Sequence, residues 1–303
     1  MTESVATPNS FRSGYVAIAG VPNAGKSTLL NRLLGQKISI TSSKPQTTRN
    51  RILGVCHRPG AQIVFLDTPG IFATRDKLNL KIVDNALAAL GDADVILAVA
   101  DSADADPEAE AYLVRQIQSL ARPVVLALNK VDLIQDKKAL LKLIARWSGL
   151  HEFEAVVPVS AHEGTQLEDL VAALTRALPE GPPFFPEDTL TDLPERFIAA
   201  ELIREKVFRF TGQEIPYATA VTVESFKTSE DAKRVDIQAT IHVERDSQKG
   251  IIIGRGASML KKIGTEARIE IEQMIGAKTS LKLFVRVEKN WRKNAGAIER
   301  FGY

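Results

Sequence analysis

The sequence predicts an α/β domain built on a doubly wound, mainly parallel sheet, followed by a smaller α+β domain. Three observations predict it. From residue 14 to 178, apolar runs of strand length alternate with segments of helical spacing, and polar residues mark the carboxyl end of one run after another. The composition then breaks, because residues 178–188 hold four prolines and no periodicity, which reads as a semi-rigid linker. Beyond it the pattern becomes helix, strand, strand, helix, helix, strand. We therefore expect a disordered lead-in over 1–13, a first domain over 14–178, a Pro-rich linker over 179–193 and a second domain over 194–303.

The 303 residues, 45% hydrophobic and 25% charged, suffice for two cores. The single cysteine, Cys56, excludes an internal disulfide, and His57, His151, His162 and His242 form no Cys/His cluster of metal-ligand spacing. Residues 1–14 lack an apolar signal core, and runs such as 95–100 are too short to span a bilayer. There is no lipidation box and no amphipathic anchor with Trp or Phe opposite Lys and Arg. We expect a soluble, monomeric cytoplasmic protein whose membrane association, at an inner membrane face, is at most peripheral.

The first strand, residues 15–19, runs into Gly20-Val21-Pro22-Asn23-Ala24-Gly25-Lys26-Ser27, and Thr28 opens a helical stretch to Leu34. In a strand, glycine loop and helix of this spacing, backbone amides wrap a β-phosphate, the lysine reaches β/γ-oxygens and the Ser27 hydroxyl takes a Mg²⁺ position. Residues 41–50, with Thr47 and Thr48, are too polar to pack as an element and should form a mobile loop. Strands over 51–56 and 62–66 are joined at Pro59-Gly60, and the second runs straight into Asp67-Thr68-Pro69-Gly70. A carboxylate at that strand end lies beside the Mg²⁺, and Gly70, lacking Cβ, lets its amide approach a γ-phosphate.

Helical spacing follows over 76–90 and a buried strand over 93–100; Asp106 and Pro107 then start a helix running to about Leu120. The strand over 124–128 ends in Asn129-Lys130-Val131-Asp132. A carboxylate at Asp132 accepts from both N1 and N2 of guanine, a donor pair that adenine lacks. Asn129 would tie this loop to the glycine loop, with the Lys130 stem along the base plane. A strand over 155–159 ends in Ser160-Ala161, whose backbone meets guanine O6, and a helix over 165–178 closes the first domain.

In the second domain we read a helix over 194–210, strands over 218–227 and 234–244, a helix over 259–275 and a strand over 281–288. Gly254, Arg255, Gly256 and Ala257 stand before the last helix, with Lys261 and Lys262 one turn on. Glycines around a basic residue at a helix start let a nucleic-acid backbone come close. The net charge of +2 hides an asymmetry: residues 249–303 carry 12 Lys and Arg against 5 Asp and Glu, the excess a phosphate-rich partner selects. Trp291 reads as core in preference to a stacking platform.

The set GVPNAGKS, QTTR, DTPG, NKVD and SA resembles a translation-factor-class P-loop GTPase domain, and the element order after it resembles a bacterial-type (type II) K-homology domain. Together, from about Gly14 on, the chain resembles the Era family of ribosome-assembly GTPases. That resemblance implies GTP and GDP as ligands, Mg²⁺ held by Ser27, Asp67 and Thr48 (Thr47 being the alternative), and a site of Gly20, Asn23, Ala24, Gly25, Lys26, Ser27, Thr28, Asn129, Lys130, Asp132, Ser160 and Ala161. It implies Lys26, Thr48, Gly70 and position 71 at the reacting phosphate, where Ile71 replaces the water-orienting glutamine of other GTPases, and a K⁺ near Asn23. It further implies that the second domain binds the 3′ end of small-subunit ribosomal RNA during maturation of the ribosomal subunit. The alternative is a constitutive RNA-binding module whose GTPase half only senses nucleotide level. Ala257 departs from the family's Gly-basic-Gly-Gly loop: with φ near −60° a methyl is tolerated there, whereas φ > 0 costs about 1 kcal/mol.

Overall fold

The computed structural model describes residues 11–42, 44, 47–212 and 214–303. It divides into two compact units, one of Met1–Gln36, Arg51–Ala73 and Val83–Asp192, the other of Lys37–Asn50, Thr74–Ile82 and Leu193–Tyr303.

The first unit is a six-stranded sheet in the order β2-β3-β1-β4-β5-β6, formed by β1 (Arg12–Gly20), β2 (Ile52–Arg58), β3 (Ala61–Asp67), β4 (Val95–Asp101), β5 (Val124–Asn129) and β6 (Ala155–Pro158). Only β2 runs antiparallel, against β3. Strands β3, β4 and β5 are buried at every position, the continuous apolar run that a parallel sheet covered on both faces requires. The helices α1 (Lys26–Leu34), α2 (Lys77–Asp92), α3 (Pro107–Gln118), α4 (Lys137–Ser148) and α5 (Leu167–Ala177) accompany it. Asp106 caps α3 through Ala109 N at 3.0 Å, with Pro107 at its first position. The chain leaves β1 for β3 on one side and β4 on the other, so the end of β1 is the switch point where such sheets bind ligands.

The second unit carries α6 (Glu195–Phe210), β7 (Ala220–Thr228), β8 (Arg234–Val243), α7 (Asp246–Ile253), α8 (Ser258–Ile275), β9 (Lys278–Val287) and α9 (Ala295–Arg300). Its sheet order is β7-β8-β9, antiparallel then parallel. Val235, Ile237, Ala239, Ile241 and Val243, alternate residues of β8, share one core with Ile198 and Leu202 of α6 and Ile263, Ala267 and Ile271 of α8. A smaller cluster joins Leu78, Ile82, Trp291, Ile298, Phe301 and Tyr303.

Several expectations need correction. Residues 1–10 of the expected lead-in lie outside the described residues, while Arg12 and Ser13 belong to β1. The Pro-rich segment 179–192 is a strap on the first unit, because its backbone groups have partners there. Ser13 N donates to Pro179 O (3.2 Å), Val55 N to Leu190 O (2.8 Å) and Phe184 N to Gln62 Oε1 (2.7 Å). Helix α7 (Asp246–Ile253) is the first of the two consecutive helices expected in the second domain, and Gly254 to Ala257 separate it from α8. The sequence reading passed over α4 and α9. Among the described residues no helix is long and apolar enough to cross a membrane.

Candidate nucleotide and nucleic-acid sites

Residues 20–27 form the turn between β1 and α1. Asn23 and Gly25 take left-handed backbone, φ 66° and 91°, and Gly25 precedes the first turn of α1, to which Thr28 belongs. Gly25 has a second reason to be glycine. A Cβ there would lie 2.3 Å from Asn129 Nδ2, which donates to the carbonyl of buried Ala24 at 2.8 Å, while Asn129 Oδ1 accepts from Ala161 N at 2.9 Å. Asn129, at the end of β5, thus holds the glycine loop on one side and, beyond the tie expected from the sequence, the loop after β6 on the other. Lys26 is buried, and its Nζ donates to Gly20 O (3.0 Å) and Val21 O (2.9 Å). Burial pushes its pKa down to about 8, Asp67 opposing in part.

Ser27 Oγ donates to Asp67 Oδ2 at 2.7 Å at the base of this loop. Two hard oxygen donors side by side, one a buried carboxylate, fit Mg²⁺, which takes few protein ligands and fills its shell with phosphate and water. Gly70 packs against Pro22, where a Cβ would meet Pro22 N at 2.9 Å. Ile71 is fully buried in the core of the first unit, and its N–H donates to Gly20 O at 3.1 Å. On the base side, Lys130 has φ 67° and its ammonium is paired with Asp101 at the end of β4. Asp132 is exposed in a short 3-10 turn, and buried Ser160 accepts from Glu163 N at 3.0 Å.

The loop with Thr48 is the largest departure from expectation. Ser43, Pro45 and Gln46 lie outside the described residues, but Lys37–Asn50 is part of the second unit, with Thr47 and Arg49 buried and Thr48 half-buried. The Arg49 guanidinium donates to the carbonyls of Thr219 (2.8 Å), Tyr217 (2.9 Å) and Pro216 (3.3 Å) and lies over the Tyr303 ring. Lys44 Nζ donates to Phe208 O and Thr211 O, and fully buried Arg204, paired with Glu201, donates to Thr47 O at 2.5 Å. Lys37 bridges Glu205 (2.8 Å) and Glu270 (2.7 Å), carboxylates that also hold fully buried Lys206.

In the second unit, Gly254, Gly256 and Ala257 have φ of 71°, 57° and 61°. Ala257 therefore sits in the left-handed region, the costlier of its two alternatives. Arg255, Gly256, Ala257, Lys261 and Lys262 are exposed, and Lys262 Nζ lies 4.3 Å from the Phe210 ring centroid. Trp291 is core: fully buried, its Nε1 donates to Ala218 O at 2.9 Å. Arg292 is held by Glu244 at 2.8 Å.

Residues 15–130 match the family described as 50S ribosome-binding GTPase, and residues 214–292 match the KH domain. The GTPase Era of Geobacter metallireducens is 54% identical over 97% of this chain and 99% of its own length, and that of Lacticaseibacillus paracasei 48% identical over 97% and 98%. The chain belongs to the GTPase Era family. Two solved structures superpose with a TM-score of 0.93 at 43% identity, covering 97% of this chain and 99% of theirs. One is a tyrosine-to-alanine variant of Aquifex aeolicus Era with GDP·AlF4⁻, the other Era with MgGDPNP and nucleotides 1506–1542 of 16S ribosomal RNA. Era-like motifs point to Asn129 and Asp67 and include Arg49 as the last residue of QTTR, without giving it a role, but they do not point to Asp101 or Arg204. Asp101 ends an apolar strand just as Asp67 does, and that signal could have found it; Arg204 carries none.

Proposed function

We propose that this chain is a GTP-hydrolysing switch that binds the 3′ region of small-subunit ribosomal RNA and assists assembly of that subunit as a cytoplasmic monomer. The observation that carries the coupling is that Lys37–Asn50, which bears Thr48, is built into the unit with the K-homology fold. A segment asked to contact the nucleotide and also bonded to the RNA-binding unit gives the two ligands a shared element to bias.

Guanine is selected by Asp132, with Asn129 fixing the base loop against the phosphate loop. Lys26 exchanges two loop carbonyls for phosphate oxygens, and an ammonium disfavoured by burial gains most from an anion. Ser27 and Asp67 would hold Mg²⁺, together with Thr48, and when bound the ion neutralises charge on the phosphates. The Ile71 side chain lies in the core and offers no polar group to a water, so intrinsic turnover should fall well below about 1 s⁻¹. Exposed Asn23, at the loop crest, is the residue we assign to K⁺. Faster hydrolysis in K⁺ than in Na⁺, lost in Asn23→Ala, is the expected result; equal rates in the two salts reject the assignment.

The deciding experiment titrates a ribosomal 3′-end RNA against the full chain loaded with GDP or with a non-hydrolysable GTP analogue. Different affinities support the switch. Equal affinities mean zero coupling free energy and leave a constitutive RNA binder.

A further inference from the structure

The three-stranded sheet of the second unit has one face committed to the helices, while the other carries a pattern that the glycine loop does not account for. The β8 and β9 pairing sets Gln238 opposite Lys282, Thr240 opposite Phe284 and His242 opposite Arg286, and β7 extends these rows with Ser225 and Thr222. Their neighbours Ile237, Ala239, Ile241, Leu283 and Val285 lie in the core, so by the two-residue period these rows face away from it. Phe284 is 52% exposed there, in mid-strand, between exposed Lys282 and Arg286, with exposed Lys278 further along. A single exposed apolar side chain is ordinary on a protein surface; what sets Phe284 apart is its place between two cations on one strand.

A depression of about 620 Å³ on this face shares Glu224, Arg286 and Val287 with a second, of about 850 Å³, that reaches past the sheet edge to Phe197 and Ala200 of α6. Phe284 and Lys249 line one, Arg196 and Arg300 the other. Of the acidic groups nearby, Asp236 pairs with Arg234 at 3.1 Å, Glu288 pairs with Arg300, and Glu224 accepts from Thr222 Oγ1 at 2.7 Å, while exposed Asp246 lines the same depression as Phe284. Among the described residues, Lys278, Lys282 and Arg286 have no carboxylate within ion-pair distance.

We propose that this sheet face, where Phe284, Lys282, Arg286 and Gln238 are exposed, is a second binding surface for single-stranded RNA, with Phe284 stacking a base, Lys282 and Arg286 meeting the flanking phosphates, and Gln238 and half-buried Thr222 facing the base edge. An aromatic ring between cations spaced along one strand is the arrangement that single strands recognise. A protein interface would instead deplete lysine and gather several apolar side chains, and here one ring stands alone. The inference rests on the RNA-binding reading but places RNA on the side of the sheet away from α6 and α8, so a long strand engages both the loop and the sheet.

The test uses the full chain with two fluorescent single-stranded probes of ribosomal 3′-end sequence, one of about 6 nucleotides, enough for a K-homology clamp of about four, the other of about 40. Phe284→Ala and Lys282→Ala/Arg286→Ala alter exposed side chains and should leave folding intact. Each should weaken the long probe roughly tenfold and leave the short one unchanged, and the double variant should flatten the long probe's salt slope by about 0.7 for each phosphate no longer neutralised. A photocrosslinking long probe should mark the peptide containing Phe284. Unchanged long-probe affinity and slope, with no crosslink on β9, overturn the proposal. Failure of the loop reading is a separate result: Arg255→Asp/Gly256→Asp would then leave the short probe bound.

Discussion

Two glycine loops, residues 20–27 and 254–257, each deliver the chain into a helix, and they use glycine for different reasons. At Gly25 the left-handed backbone coincides with crowding, since the Asn129 amide stands where a Cβ would go. At Gly256 the backbone is equally left-handed, but nothing lies within 4 Å of the place a Cβ would take. The first loop is braced by Asn129, Pro22 and Lys26 into a rigid cradle; the second is an exposed rim. Rigid cradles suit a ligand of fixed shape such as a triphosphate, and an open rim suits a polymer backbone passing across it.

The largest effect should come from adding a methyl to the cradle. Gly25→Ala has to displace Asn129 and break its bonds to Ala24 and Ala161. We expect GTP affinity to fall by at least about 100-fold, near 3 kcal/mol, measured with a fluorescent guanine nucleotide. Gly256→Ala in the rim should cost only backbone strain of about 1 kcal/mol. If Gly25→Ala binds GTP within threefold of wild type, crowding is not what distinguishes the loops.

Next is charge reversal at the rim. Arg255→Asp/Gly256→Asp sets negative charge where phosphates pass, and short RNA should lose about 100-fold in affinity at moderate salt while GTP affinity holds within twofold. Filter binding at two salt concentrations checks it. A double variant that binds like wild type would leave the loop as a helix cap.

The cradle should also show a pH signature. Burial holds Lys26 at about 8, below its ordinary 10.5, whereas a bound phosphate favours the charged form. Below pH 8 the free protein already carries the proton, so GTP affinity is flat there. Above it binding must take up a proton, so affinity declines by up to tenfold per unit. Titrations between about pH 7 and 9, compared with Lys26→Arg, which stays charged, read the effect; parallel profiles would mean that Lys26 does not titrate in this range.

How much of this was legible in the sequence follows the same division. The cradle was, because Lys26, Asp67, Asn129 and Ala161 each sit at a strand end or at fixed spacing from one, and the topology of a parallel sheet brings strand ends together. Trp291 was legible as an apolar side chain with nowhere else to go, whereas Ile71, expected at the reacting phosphate, has its side chain in the core of the first unit. The anchoring of Arg49, Lys44 and Lys37 was not, because a cation in a polar loop reads alike whether water or the carbonyl of Thr219 solvates it. The strap 179–192 failed similarly: prolines exclude helix and sheet, but partners far away in sequence, among them Gln62, Ser13 and Val55, decide that the segment lies on the first unit. At Ala257 the residue type favours negative φ, so the observed 61° was not legible from it.

The smallest effect is at Ala257 itself, and it is the sharpest test of the rim. With φ at 61° the methyl is strained, so Ala257→Gly should stabilise the second unit by about 1 kcal/mol after the added freedom of the unfolded glycine is counted. Each unit has its own buried tryptophan, Trp147 in the first and Trp291 in the second. Trp147→Phe and Trp291→Phe backgrounds therefore report the units separately, without assuming that both melt together. In urea, the Trp291 midpoint should rise by roughly 0.5 M for a slope near 2 kcal/mol/M, and the Trp147 midpoint should stay in place. The glycine also frees the rim, so short-RNA affinity should fall by up to a few fold as the loop pays more to be ordered. A Trp291 midpoint that does not move would place Ala257 at negative φ in solution, and α8 would then begin one residue earlier.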